Sequence, residues 1–128
     1  MLFRSRGLDE TPLADLPAEE IVNQMMDGVI ARIRRKVPWR PGARDLLAQL
    51  RVEKIPCALV SMSWRRLVDA IVGELPSGSF AATIVGDEVR HGKPHPEPYR
   101  AAARALSVLP RDCVALEDSP TGVRKSVV

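Results

Sequence analysis

The sequence predicts an α/β fold in three layers, a parallel sheet covered by helices on both faces. Three observations carry that reading. After residue 37 the segments alternate as helix, strand, helix, strand, helix, strand. The strand-like runs at 55–61, 80–85 and 113–117 are apolar without polar alternation, as burial on both faces requires. The last run, in CVALEDSPTGV (113–123), stops at two adjacent carboxylates, Glu117 and Asp118. Parallel strands bring their C-terminal tips to one edge of the sheet, where ligands bind. Oxygen ligands gathered at such a tip suit a hard cation such as Mg²⁺.

Residues 17–36 read as a helix. Pro17 fits a first turn, and Glu19 and Glu20 sit where the helix dipole favours acids. Ile21, Met25, Val29 and Ile33 recur every four residues, with Val22 and Met26 beside them, and are expected to face the core. The run Arg34-Arg35-Lys36 reads as a solvated C-terminal turn, where cations are favoured. Two prolines and a glycine between Val37 and Gly42 mark a linker or hinge. A second helix spans 43–53, with Leu46, Leu47 and Leu50 on one side. The strand at 55–61 ends in a hydroxyl, Ser61, and a helix over 64–75 follows. Pro76 to Ser79 is a turn, 80–85 a strand ending at Gly86-Asp87-Glu88, 92–98 a Pro-rich loop and 97–106 a helix. The strand at 113–117 closes the pattern.

At 128 residues the chain is long enough for one domain with a modest core. Aromatics make up only 4% of it, so aliphatic side chains must fill that core. No apolar run reaches the roughly 20 residues needed to cross a bilayer, and no secretory leader is visible. The expected location is cytoplasmic, with no membrane partner. Cys57 and Cys113 lie inside apolar runs and are expected to be buried free thiols. The net charge of +3 would admit a nucleic-acid partner. However, residues 2–5 and 124–128 match translations of common sequencing-adapter DNA, although Val123 departs from that reading. Residues 1–5 and 124–128 are therefore expected to be non-native. Setting aside Arg4, Arg124 and Lys125 brings 19 cations down to the level of the 16 acids, and no nucleic-acid signal remains.

Three polar groups stand at or just beyond strand ends: Ser61, Lys93 and the pair Glu117/Asp118. A hydroxyl, an ammonium and two carboxylates suit a phosphoryl group with its Mg²⁺. Each has a plainer alternative. Ser61 or Ser63 could cap the helix beginning near Trp64, and Ser63 is the better candidate. A lysine in a loop is usually solvated, although Gly92 and Pro94 fix this one's backbone. Asp118-Ser119-Pro120 could be a capping turn. His91 and His95 lack a partner at metal-ligand spacing and read as loop histidines. Asp87-Glu88 could be a peripheral metal contact or a solvated turn.

Together these residues resemble the haloacid dehalogenase superfamily, on the side of its β-phosphoglucomutase-like and phosphoglycolate-phosphatase-like members. LVSMS (59–63) is similar to the family's second motif. GKPHPEPY (92–99) resembles the third and CVALEDSPTGV (113–123) the fourth. PGARDLL (41–47) matches the return to the core after the cap. The resemblance implies a Rossmann-like core over 37–123, with 6–36 the end of a helical cap. It implies a Mg²⁺-dependent phosphatase acting on a small phosphorylated metabolite through an aspartyl-phosphate. Ser61 and the Met62 N–H would bind phosphate, Lys93 would bind phosphate and nucleophile, and Glu117 and Asp118 would hold the metal. The full-length form is expected to be monomeric. A phosphomutase is a close variant, and a non-catalytic phosphate-binding module is an alternative of another class. A receiver domain combines similar residues but places its acidic pair near the N-terminus.

The family's first motif, an apolar strand followed by DxDGT, does not occur in the sequence. Gly7-Leu8-Asp9-Glu10-Thr11 lacks both the preceding strand and the second Asp. Without the nucleophile no phosphoenzyme forms. The first strand of the family sheet would also lie between those at 57–61 and 113–117. The 128-residue chain is therefore expected to be an inactive, poorly folded fragment.

Overall fold

The computed structural model describes residues 17–118. The termini, the Gly7–Thr11 segment and Ser119 to Val123 of the last motif lie outside the described residues. Helix α1 (Ala18–Arg35) leads through the Pro-rich segment 36–42 to α2 (Ala43–Val52). Strand β1 (Ala58–Val60), helix α3 (Arg65–Gly73), strand β2 (Ala82–Ile84) and helix α4 (Glu97–Ala105) follow. As far as α4 the order is the one the alternation predicts, with shorter strands. β1 and β2 are parallel, and Ala58, Leu59 and Val60 stand opposite Ala82, Thr83 and Ile84.

The core is small and aliphatic. Val68 of α3, Val85 just past β2 and Pro98 of α4 are the largest side chains that are almost wholly enclosed. α4 lies against both strands, and Ala102 and Ala103 let its backbone come close to them. α1 packs on α3, where an Arg66–Asp27 ion pair joins the two helices. Arg65 ties α3 to the end of β2. Its Nε donates to Glu88 at 2.8 Å and its Nη1 to the Thr83 hydroxyl at 2.6 Å.

Several expectations change. The inward stripe of α1 is rotated: Ile30 and Ile33 are buried, whereas Val22, Met25 and Val29 are exposed. A four-residue repeat drifts around a helix of 3.6 residues per turn, so Met25 and Val29 leave the face that Ile33 occupies. Leu46 of α2 is also exposed. Ser63 does not cap α3. The N-cap position is Trp64, and the Asp87 carboxylate instead accepts the Arg65 N–H at 3.2 Å. Asp87 and Glu88 thus both serve the N-terminal turn of α3.

Residues 113–117 do not form a strand. They carry Val114 and Leu116 at 89% and 76% exposure. Among the described residues the sheet has two strands, β1 and β2, and neither pairs with this segment. An apolar run becomes a buried strand only where a neighbouring strand offers it a ladder and two covering layers. Cys113 is consequently exposed and Cys57 half-buried, so neither is the buried thiol expected.

Candidate active site

The loop after β1 is set by local hydrogen bonding and by one close approach. The Ser61 N–H donates to Ile84 of β2 at 2.9 Å, which continues the parallel ladder by one step. The Ser61 hydroxyl oxygen then accepts the Ser63 N–H at 3.1 Å, closing a tight turn around Met62. The Gly86 N–H donates to the Ser63 carbonyl at 3.1 Å, so the loops after β1 and β2 lie side by side. A Cβ on Gly86 would stand 2.4 Å from the Met62 carbonyl oxygen, so this position has room only for glycine.

The Lys93 loop docks on the same turn. The Lys93 N–H meets the Met62 sulfur at 3.2 Å, and a Cβ on Gly92 would come within 2.9 Å of that sulfur. The Met62 side chain therefore joins the Ser61 turn to the Lys93 loop, whereas sequence reasoning gave Met62 only a backbone role. Glu97, at the start of α4, closes the base of the loop. Its carboxylate accepts the Arg90 N–H at 2.9 Å and the His91 N–H at 3.1 Å. These backbone bonds, the Arg90 one foremost, and then the His91 ring hold its carboxyl below the ordinary carboxylate range.

Lys93 and Glu117 come together. The ammonium lies 2.7 Å from Glu117 Oε2, with the two side chains 18% and 8% exposed. Tyr99, on α4, donates its hydroxyl to the same oxygen at 3.0 Å. The ammonium also sits 5.4 Å from the centre of the Tyr99 ring, within reach of a cation–π contact. Asp118 is exposed beside Glu117. Glu117 and Asp118 offer carboxylate oxygens only, a donor set that suits Mg²⁺ rather than a softer metal. Ser61 reaches this cluster through Met62, not by a direct bond among those seen.

Tyr99 was missed as a site residue. The one available signal was that it is the only tyrosine in an aromatic-poor chain and falls inside the GKPHPEPY motif. Burial, and then the bond to Glu117, push its hydroxyl up from 10.0 to about 12. The neutral phenol is thus favoured in the folded state. Its contribution to stability is complete below pH 10 and is lost as pH rises through about 12. Because the chain has one tyrosine, the rise in absorbance at 295 nm with pH, measured in EDTA over the constant background of the two tryptophans, reads this group. The expected midpoint lies well above 10, and Glu117→Gln should bring it down. A midpoint at the ordinary value in both proteins would contradict the Tyr99–Glu117 contact.

Comparisons with known proteins bear on the family and the fold of the chain. The profile of the haloacid dehalogenase-like hydrolases matches residues 6–124. Hexitol phosphatase A of Escherichia coli is 40% identical over 86 residues, which are 65% of this chain and 38% of that protein. The crystal structure of CbbY from Rhodobacter sphaeroides in complex with phosphate superposes with a TM-score of 0.75 at 31% identity. It covers 93% of this chain, and this chain covers 55% of it. A mutant of the same protein, in complex with xylulose-(1,5)bisphosphate, gives a TM-score of 0.72 at 30% identity, with the same coverage of both chains. This chain spans 24 to 49% of such curated relatives as the riboflavin kinase/FMN phosphatase of Arabidopsis thaliana and protein CbbY of Cereibacter sphaeroides. The chain belongs to the haloacid dehalogenase-like hydrolase family.

Proposed function

We propose that these residues form the phosphate- and metal-binding part of a Mg²⁺-dependent phosphatase acting on a small phosphorylated metabolite. The observation that carries the reading is the Lys93–Glu117 pair, which fixes an ammonium beside a nearly buried carboxylate. A phosphoryl group needs fixed positive charge and hydrogen-bond donors aimed at its oxygens, and needs them preorganised. Lys93 supplies the charge. The Ser61 hydroxyl, whose oxygen accepts the Ser63 N–H, keeps its own proton to donate. Among the described residues no backbone carbonyl takes the Met62 N–H, which leaves it available as a second donor. Glu117 and Asp118 would hold Mg²⁺, which when bound neutralises phosphate charge. The phosphate and sugar bisphosphate bound by the CbbY structures support phosphorylated sugars as the substrate class. In this reading 6–36 end a cap and 37–123 belong to the core.

The attacking aspartate of such a phosphatase is not among these 128 residues. The reading therefore expects no turnover from the 128 residues by themselves, and binding is the informative readout. Calorimetric titration with inorganic phosphate in the presence of Mg²⁺ should show binding. Lys93→Ala should weaken it by at least about tenfold, because a charge-assisted contact is lost, and Ser61→Ala should weaken it less. Absence of phosphate binding in the folded chain, or equal binding by Lys93→Ala, would overturn the reading.

A further inference from the structure

The loop that carries Lys93 holds a second group of ligand atoms, separate from the Glu117/Asp118 pair. His91 and His95 stand four residues apart, and their rings face each other with centroids 4.6 Å apart. Glu97 lies between them. Its Oε2 is 2.9 Å from His91 Nδ1 and 3.9 Å from His95 Nδ1. The three ligand atoms all lie within 4.8 Å of one another. Two ligands each about 2.0–2.1 Å from a zinc ion at a tetrahedral angle stand some 3.4 Å apart. The observed separations straddle that value, so small rotations of exposed rings bring the three atoms onto one ion. The loop backbone is already closed by the bonds from Arg90 and His91 to Glu97, so little ordering remains to be done.

We infer that His91, His95 and Glu97 form a binding site for a divalent transition metal of the Zn²⁺ class. Two imidazoles and one carboxylate match the borderline-soft preference of Zn²⁺ and are a poor set for Mg²⁺ or Ca²⁺. Three protein ligands leave a fourth position to water. On binding, the metal replaces the proton that His91 Nδ1 shares with Glu97. At His95 it takes the place of the 3.2 Å bond from the Glu97 N–H. Both histidines are exposed and the carboxylate is half-buried, so the metal enters from solvent without opening the core. The bound ion would staple 91–97, and Lys93 with it, to the start of α4.

The test is calorimetric titration of the whole chain with Zn²⁺ alone, with Co²⁺ as a spectroscopic probe. The expected result is one ion per chain and visible Co²⁺ absorption of tetrahedral intensity. His91→Ala and His95→Ala should each weaken binding at least about tenfold, with unchanged far-ultraviolet circular dichroism. Glu117→Gln and the double variant Cys57→Ser/Cys113→Ser should bind as the parent does, and excess Mg²⁺ should not compete. No Zn²⁺ binding, equal binding by both histidine variants, or loss of binding in the cysteine or Glu117 variants would overturn the proposal.

Discussion

Lys93→Met should lower the stability of the chain by about 1–3 kcal/mol, a shift of the thermal midpoint by roughly 5–15 °C for a domain of this size. The reason is the carboxylate left behind, not the lysine lost. Glu117 is 8% exposed, and in the parent its Oε2 takes the ammonium at 2.7 Å and the Tyr99 hydroxyl at 3.0 Å. Without the ammonium a nearly buried carboxylate loses a charged partner, and such truncations are costly even where the pair itself contributes little. The cost stays below that of a fully enclosed pair because Lys93 is 18% exposed and water reaches it. The double variant Lys93→Met/Glu117→Gln removes both charges and should recover most of the loss. A double-mutant cycle by urea denaturation measures this directly. If Lys93→Met matches the parent within about 0.5 kcal/mol, the pair is not a structural element of the folded chain.

That result also bears on what the sequence could show. The helices were legible because α1, α3 and α4 each carry their own signals. Pro17 with Glu19 and Glu20 opens α1, and Val68 and Ala102 sit on apolar faces that need only one neighbour. Ser61, Lys93 and Glu117 were legible as candidates because Ser61 and Glu117 each end an apolar run and Lys93 stands between Gly92 and Pro94, which set its backbone. What binds them together was not. The Met62 sulfur against Lys93, the Asp87 carboxylate on α3 and the Tyr99 hydroxyl on Glu117 all span loops that are distant in sequence. No local pattern encodes such contacts. The run at 113–117 failed for a related reason. Its apolar residues specify burial, but a strand needs a partner edge, and Val114 and Leu116 stand exposed without one among the described residues. Glu117 nonetheless reaches Lys93, so this half of the candidate site comes together without the strand.

Gly86→Ala should be the most damaging single methyl in the described structure. The added Cβ would lie 2.4 Å from the Met62 carbonyl oxygen, 2.9 Å from its carbon and 3.1 Å from its Cα. These are backbone atoms, so no rotamer change relieves the overlap. Either the loop after β1 or the loop after β2 must move, and both are anchored. Ser61 donates to Ile84, Gly86 donates to the Ser63 carbonyl, and Val85 beside it is wholly buried. Overpacking of this kind costs about 1–3 kcal/mol, or more where the neighbour cannot yield. Displacing Met62 would also loosen its sulfur from the Lys93 N–H, so phosphate binding should fall together with stability. Gly28→Ala in the middle of α1 is the matched control. A Cβ there meets nothing within 4 Å, and relief of glycine's conformational freedom should stabilise the helix by about 0.5–1 kcal/mol. Thermal unfolding and phosphate titration of the two variants should therefore move in opposite directions for stability, with binding lost only in Gly86→Ala. Equal stabilities for the two would mean that the loops after β1 and β2 do not lie as close as the Gly86–Met62 contact requires.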